Sequence, residues 1–599
     1  MSKIGSSTKI QRLLKESSIL CHSGNLTEAK KKYQDLLKLI PNHPEVLGNL
    51  GTIELQEGNT DIGVSYLTQA LKKNPTEINF IINLGNGLIE LKKFDEALAY
   101  YDAAEKINPN FLNNLYNKAR ALKYLGRIDE AILSLKKCLF IDSNNYLVLC
   151  DLAFLKNIHE DYQDAIDLYT KAININPKNF LAFYNRGIAF ENARKFDEAL
   201  NDYNQVIRDN SLFEPALFNK CGIFIKQNKI EEALNLINHL LKLDKENTNY
   251  YIKKAFIYEQ VKSFDLAIDC YNQALLTNPN SEEAKAKKGY YLLKNNQFQE
   301  GWILYENRWW DKEKFKTDKP EVINFDIRNK KIFIWAEQGV GDQIIFSSMF
   351  NELFLSQNIF YISLDPRLIN LFVRSFSWAN NVHFISNEDI LNEDSYDYQL
   401  PVGSLGRYFR KSIQDFKSQP EAYLKSDKVQ VDTLKHKFKN YRQRICGISW
   451  SSKNKEVGRE KSLYLNQLLP ILRLQNTIFI NLQYGDVSDE IKSILDQHGI
   501  EILSISDIDN FHDLDSLTSL VDVCDYIVTT GNVTAHIAGA LNKRTYLLLP
   551  FAHGKIWYWG DSSDSSLWYP SVEIIRSPSF GVWDIPINNL SKKLKVLYD

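Results

Sequence analysis

The 599-residue chain has almost no net charge: 72 lysines and arginines stand against 74 aspartates and glutamates, a formal charge of −2. That removes a general attraction to nucleic acid or to an anionic membrane, and no basic stripe interleaved with aromatics restores one. No stretch approaches the roughly 18 uninterrupted apolar residues of a membrane span. The opening MSKIGSSTKIQRLLKESS has no apolar core of signal-peptide length. The seven cysteines (Cys21, Cys138, Cys150, Cys221, Cys270, Cys446 and Cys524) are scattered, with no CxxC pair. Several fall at core positions, so buried free thiols in a reducing cytoplasm are expected and a zinc site is not. No DxD-type acidic pair stands at a strand end, so neither a metal nor another cofactor is implied. With 44% hydrophobic residues nothing reads as disordered, and the length requires three or four globular units.

What the chain does have is a period. A small residue returns every 34 positions: Ala29, Gly63, Ala97, Ala131, Ala165, Ala199, Ala233, Ala267 and Gly301. A second small series runs in register (Ser17, Gly51, Gly85, Ala119, Ala153, Gly187, Cys221, Ala255, Gly289), and a bulky third follows the first by four residues, as Tyr101 follows Ala97. Pro41, Pro75, Pro109, Pro177 and Pro279 mark unit ends. Small residues suit helix crossings and the bulky ones lie on the same helical face. In Phe94-Asp95-Glu96-Ala97 an Asp before the second helix and acids in its first turn suit capping and the dipole. A fixed period of this kind is a helix–turn–helix solenoid whose stacked units share one core. It resembles the tetratricopeptide repeat family over nine units, residues 10–310, and implies a protein or peptide partner on the concave face.

The pattern changes after residue 310. A charged, proline-containing stretch, 311–330, reads as a surface linker. Short branched runs then alternate with amphipathic segments: 332–336, 360–364, 382–385 and 398–402, a Lys-rich helical stretch 428–444, then 445–450, 477–484, 500–505, 526–530 and 545–550. The alternation predicts parallel sheets covered by helices. Two such sets predict two Rossmann-like domains, 331–440 and 441–599, facing each other across a cleft.

The first strand runs into AEQGVGDQ (336–343). Gly339 and Gly341 allow a sharp turn at a strand's carboxyl end, where ligands bind in open α/β sheets. Asp342 at the helix start is either an N-cap or a carboxylate poised to accept a proton. A dinucleotide fingerprint is excluded, because Ile344 replaces the third glycine and an acid at the helix start would repel a pyrophosphate. In the second set, TTGNVTAHIAGAL (529–541) takes a strand through a turn into a helix lined with small residues. Its free N–H groups beside Thr530, Asn532 and Thr534 form an anion site, with His536 in the first turn either a phosphate donor or a packed core histidine. Ser451 and Ser452, followed by Lys453, Lys455, Arg459 and Lys461, could neutralise a diphosphate, and Gln483, Tyr484 and Asp486 could touch a base or ribose. The aromatics Trp557, Tyr558, Trp559, Trp568 and Tyr569 either stack on a ligand or cover a sheet edge as a satellite core, the second being preferred.

Together AEQGVGD (336–342), GISWSSKNKEVGREKS (447–462), TTGNVTAHIAGAL (529–541), GWILYENRW (301–309) and SLWYPS (566–571) resemble the heptosyltransferase-like glycosyltransferases of the GT-B fold, in the bacterial form fused to tetratricopeptide repeats. The resemblance implies sugar transfer from a nucleotide-diphosphate donor to an acceptor hydroxyl. Asp342 would be the general base, and Ser451, Ser452, Lys461 and His536 would hold the donor diphosphate. One departure stands out: Gly531-Asn532 occupy the place of the family's Asp-Thr pair. The competing expectation is a repeat scaffold whose α/β half has lost activity.

Overall fold

In a computed structural model the chain divides into two compact units, Met1–Ile223 and Phe224–Asp599. The structure describes residues 2–337, 339–389, 391–452, 458–551, 556–560, 563–579 and 581–598; of residues 2–9, 459 and 460 it describes the backbone alone.

The first unit is a run of helix pairs, for example Ile78–Glu90 with Phe94–Ile107 and Leu112–Tyr124 with Ile128–Ile141. The three sequence series meet as their chemistry requires. Ala29, Ala97, Ala131, Ala165 and Ala199 are fully buried, as are Tyr33, Tyr101 and Tyr203. A Cβ on Gly85 would lie 2.6 Å from the Tyr101 ring, so the second series is small because the third is bulky. The acids of the second helices do not cap. The Phe94–Ile107 helix begins at Phe94, Lys93 is its cap residue without a side-chain bond, and Asp95 and Glu96 sit in the first turn, where they serve the dipole alone.

A fourth series went unseen. Gly24, Gly58, Lys92, Gly126, Glu160, Arg194, Asn228, Lys262 and Asn296 all have positive φ, between 55° and 83°. Each ends the first helix of a pair in the left-handed conformation that glycine adopts without strain. Only three of the nine are glycine, so composition hides a constraint that the backbone imposes at every turn.

The second unit contains the last helix pairs, ending in Glu282–Lys294 and Phe298–Tyr305, and two parallel sheets. The first sheet has strands β1 (Lys331–Trp335), β2 (Ile359–Leu364), β3 (Val382–Ser386) and β4 (Tyr398–Pro401) in the order β3-β2-β1-β4. The second has β5 (Arg444–Ser449), β6 (Thr477–Asn481), β7 (Ile502–Leu503), β8 (Tyr526–Thr530), β9 (Thr545–Leu549) and β10 (Val572–Arg576) in the order β10-β9-β8-β5-β6-β7. The edge strand β10 was not anticipated. No helix among the described residues is long and apolar enough to cross a membrane, and all seven cysteines are free.

The last pair is built into the α/β core. Phe298, Trp302 and Tyr305 belong to the same apolar cluster as Ile332, Phe346 and Trp557. Trp302 donates its indole N–H to the Arg410 carbonyl at 2.7 Å, and Gly406 is bare because its Cβ would meet that indole ring at 2.1 Å. Beside it, the Arg308 guanidinium makes a bidentate pair with Glu337, at 2.6 and 2.9 Å, and both side chains are fully buried. The stretch 311–330 is a strap more than a linker: Val322 is buried, Phe315 packs on Phe333 and Trp335, and Glu321 bridges in parallel to Gln399 of β4. A boundary at residue 440 is also displaced. The Lys428–Phe438 helix belongs with the second sheet, where Gln430 donates to Ser516 on the Leu514–Val523 helix.

Two outcomes follow from these packings. Lys92→Gly and Arg194→Gly each raise the stability of the first unit by about 0.5–1 kcal/mol in urea unfolding, because the strain at positive φ is relieved. Arg308→Ala leaves the Glu337 carboxylate buried and unpaired and costs the second unit about 3–5 kcal/mol, read in the same titration; a loss below 1 kcal/mol contradicts the buried-pair account.

Candidate functional site

Both sheets reverse strand order beside their first strand, β1 next to β4 and β5 next to β8. The loops at the carboxyl ends of these strands are where an open α/β sheet binds ligands. After β1 come Glu337, then Gly339 and the short Val340–Phe346 helix. Gly339 is that helix's cap residue in an extended conformation, φ −93° and ψ 171°. Neither Gly339 nor Gly341 has positive φ. Gly339 and Gly341 thus adopt backbone conformations open to any residue, and Gly341 is small for a different reason: a Cβ there would lie 2.7 Å from the His536 ring. Asp342 is not the N-cap. It is the third helical residue and reaches back to accept the Gly339 N–H at 3.1 Å, which stabilises the first turn while leaving carboxylate capacity unused.

After β8 the chain turns at Gly531-Asn532 into the Val533–Ala540 helix. Asn532 is fully engaged. Its Oδ1 accepts from Thr529 Oγ1 and the Thr534 N–H, and its Nδ2 donates to Ser449 Oγ and the Ser451 carbonyl. It ties β8 to the end of β5 and has nothing left for a ligand, so its assignment to donor binding is corrected to a structural one. Gln483 is corrected likewise: its Oε1 takes the N–H groups of Trp450 and Ser451 and its Nε2 donates to the Tyr484 carbonyl. Tyr484 is buried against Phe511. Ser451 and Ser452 stand half-buried at the β5 loop, with Ser452 N–H on Ser462 Oγ. Lys453 and Lys455 and the Arg459 side chain lie outside the described residues.

His536 is 2% exposed. Its Nδ1 lies 3.0 Å from the Tyr569 hydroxyl and its Nε2 3.2 Å from the Tyr558 hydroxyl. Both ring nitrogens are taken, which corrects its assignment as a phosphate donor to a packed histidine. Burial and the nearby Lys461 ammonium push its pKa down to about 3, so the ring is neutral.

Other polar groups of these loops have no partner. Thr530 Oγ1, Thr534 Oγ1 and Trp559 Nε1 are buried and make no hydrogen bond. Lys461 is 4% exposed, with no hydrogen bond or ion pair among the described residues, and burial brings its ammonium down to about 8 against the opposing pull of Asp342. A Cβ on Gly531 would touch both Trp559 Nε1, at 3.7 Å, and Lys461 Cδ, at 3.9 Å. Asp342 lies across from this group, raised to about 6 by burial and by Glu337, against the Gly339 N–H, Lys461 and Lys312. The Lys461 ammonium faces the Asp342 carboxylate, and Lys461 and the idle Trp559 Nε1 flank Gly531 in one recess. Each buried donor without a partner costs about 1–3 kcal/mol, which an oxygen-rich ligand would recover. No group of three or more His, Cys, Asp or Glu among the described residues is set to hold a metal.

Several members of this recess escaped sequence reasoning. Glu337 lies in AEQGVGD and Arg308 in ENRW, but nothing local says that they pair across 29 positions. The aromatics at 557–569 are core: all five pack in the main cluster, where Tyr558, Trp559 and Tyr569 also surround His536.

Comparison with known proteins identifies the helical arm. Models of the tetratricopeptide repeat match residues 79–111, 112–145, 181–211 and 248–281, and a TPR repeat model matches 159–193. The helix pairs are thus tetratricopeptide repeats, a fold that supports protein interaction. Protein FlbA of Caulobacter vibrioides is 26% identical over 385 residues, which covers 59% of this chain and 62% of that protein's length. Among solved structures, a tetratricopeptide repeat protein from Parabacteroides merdae aligns at 19% identity and a TM-score of 0.35 over 42% of this chain and 98% of its own. MamA from Desulfovibrio magneticus aligns at 19% identity and 0.27 over 28% and 97%.

The His536 environment predicts an acid sensitivity. The unfolded chain takes up a proton on this ring below about 6.5, while the folded ring resists until about 3, so stability present above 6.5 is lost as pH falls through that window at up to roughly 1.4 kcal/mol per unit. Urea midpoints of the second unit, measured from pH 7 to 4.5, fall more steeply for the natural chain than for His536→Gln; parallel curves would show that the ring is not held neutral.

Proposed function

We propose that residues 331–599 form a glycosyltransferase that takes a sugar from a nucleotide-diphosphate donor and places it on an acceptor hydroxyl, while the tetratricopeptide repeats hold the protein or peptide that carries or delivers the acceptor. The observation that supports this most is the recess itself: a buried Lys461 faces Asp342, and Trp559 Nε1 lies with it beside Gly531 with its donor unused. A diphosphate supplies the anionic oxygens these groups lack. The order of the motifs, similar to the heptosyltransferase-like GT-B enzymes, and the two parallel sheets agree with this reading.

In this reaction Asp342 accepts the proton of the attacking hydroxyl as the sugar's bond to the diphosphate breaks. Its raised pKa, about 6, leaves it ionised and yet a stronger base than an ordinary carboxylate at pH 7. The departing diphosphate gains charge, which Lys461 and the N-terminus of the Val533–Ala540 helix offset. A second reading, a scaffold whose α/β half binds without turnover, is favoured by one feature: Asn532, which stands in place of an acid, is wholly engaged in structure.

Thermal shift against a panel of nucleoside diphosphates separates the two. A donor site gains about 2.7 kcal/mol at 100 times Kd, and Lys461→Met weakens the selected nucleotide about 10–100-fold. With a nucleotide-sugar found in this way, kcat rises with pH through about 6 and then levels, and Asp342→Asn lowers it about 10²–10⁴-fold with nucleotide binding intact. No shift with any nucleotide leaves the scaffold reading; undiminished turnover by Asp342→Asn removes the base.

A further inference from the structure

Two neighbouring first helices of the repeat arm, Ile78–Glu90 and Leu112–Tyr124, line a cavity of about 300 Å³. Asn83, Asn86, Asn113 and Asn117 face it beside the rings of Phe111 and Tyr116, and no charged side chain among the described residues lines it. Each of these helices has 13 residues and carries three asparagines. Asparagine is a poor helix former, because its short amide competes with the backbone for hydrogen bonds. Helix stability therefore does not account for the concentration. Of the six, Asn114 alone is fully buried, where it donates to the Tyr101 carbonyl at 2.9 Å.

The amides that face the cavity are largely unused. A side-chain amide offers an accepting oxygen and an NH₂ that donates. Asn83 gives its Nδ2 to Thr52 Oγ1 at 2.9 Å, which leaves its Oδ1 free, and Asn86 Oδ1 accepts the Tyr101 hydroxyl at 2.7 Å, which leaves its Nδ2 free. Asn113 and Asn117 make no side-chain hydrogen bond among the described residues. Further along the period the set breaks up. Leu147 and Leu181 stand one and two periods after Asn113, and Phe154 and Ile188 stand two and three periods after Asn86. Among the equivalents of Asn117, Asn49 donates to the Tyr33 hydroxyl at 3.0 Å and Asn219 to the Tyr184 hydroxyl at 3.2 Å. The full set of free amides thus belongs to this one cavity and does not run along the arm.

We infer that this cavity binds an uncharged saccharide. A sugar hydroxyl both donates and accepts, and a planar amide answers both needs at once. The rings of Phe111 and Tyr116 supply the apolar surface against which the C–H face of a pyranose packs, and the Tyr116 hydroxyl is anchored on Asp151 Oδ2 at 2.5 Å. A cavity of this size with a few convergent polar groups holds a mono- or disaccharide. The absence of charge disfavours a phosphate or an acidic or basic side chain as the occupant. The confinement to one step of the arm disfavours a peptide lying along it, which would meet successive units alike. The inference does not rest on the transferase reading; where both hold, the arm engages a sugar that the acceptor already carries.

The test is an array of neutral mono- and disaccharides probed with the full chain, followed by saturation-transfer NMR of the sugars that bind. At least one neutral sugar is expected to bind, and Asn117→Ala and Asn113→Ala are each expected to weaken it about 10-fold. Neither side chain bonds within the fold, so both variants keep the urea midpoint of the natural chain, and Asn219→Ala, outside the cavity, keeps the affinity. N-acetyl-tetra-alanine amide, a peptide backbone without side-chain chemistry, is the contrasting probe. Binding of that peptide with no sugar bound overturns the proposal in favour of a peptide groove. An array without a bound neutral sugar overturns it, as does sugar binding that Asn117→Ala and Asn113→Ala leave unchanged. Lys461→Met separates this site from the transferase: it lowers nucleotide affinity and leaves the sugar at the arm untouched. A chain that binds the sugar and shifts with no nucleotide keeps this site and discards the enzyme; a chain that binds nucleotide and no neutral sugar discards this site alone.

Discussion

The second unit depends on one buried ion pair. Arg308 leaves the last repeat helix and Glu337 leaves β1, and they meet with no exposed surface on either side chain. Such a pair is tolerated only when every remaining hydrogen-bonding position is filled. Here the Gly403 N–H and the second Arg308 nitrogen complete the Glu337 carboxylate, Ser404 and the Tyr305 carbonyl complete the guanidinium, and the Tyr305 and Trp309 rings flank it at 4.4 and 4.9 Å. Repeat end, β1 and the loop after β4 are thereby fixed to one another. Asp342 follows Glu337 by five residues, so the candidate base inherits its position from this joint.

The same joint shapes the electrostatics of the recess. Glu337 repels charge on Asp342 while Lys461 and Lys312 attract it, and burial outweighs both. Burial and Glu337 thus make the carboxylate of Asp342 more basic, to about 6, which leaves it ionised at pH 7. Lys461 is affected in the opposite sense by the same burial, which makes an ammonium that a diphosphate would stabilise. Hydrophobic packing does the rest: one apolar cluster runs from Phe298 and Trp302 through Phe346 to Trp557 and Trp568. In place of two lobes that could part freely, helices of both sheets share side chains, with Ile344 and Ala535 in one core.

The nine-fold series and strands β1 to β9 were legible because both are local. A residue every 34 positions or an apolar run of five reports a face buried by its neighbours in sequence. The strand β10 was missed because VEIIR alternates charge with only three apolar residues and follows a stretch dense in aromatics. The left-handed turn series was missed because Lys92, Arg194 and Lys262 carry no outward sign of φ > 0. Lys461, Thr530, Thr534 and Asp342 were singled out from residue type at strand ends. Asn532, Gln483 and His536 were found for the wrong role, because a polar side chain beside a strand end looks the same whether it is free or already bonded.

What the sequence alone determined is therefore the repeat arm, the parallel-sheet region beyond it and the loops that carry polar chemistry, all of which follow from periodicity and from residue type at short range. What only the tertiary structure decided is which of those polar groups are free. That outcome depends on partners 29 to 108 positions away, such as Glu337 for Arg308 and the Arg410 carbonyl for Trp302. Hydrogen-bond satisfaction and desolvation are properties of a packed neighbourhood, and no local pattern encodes them.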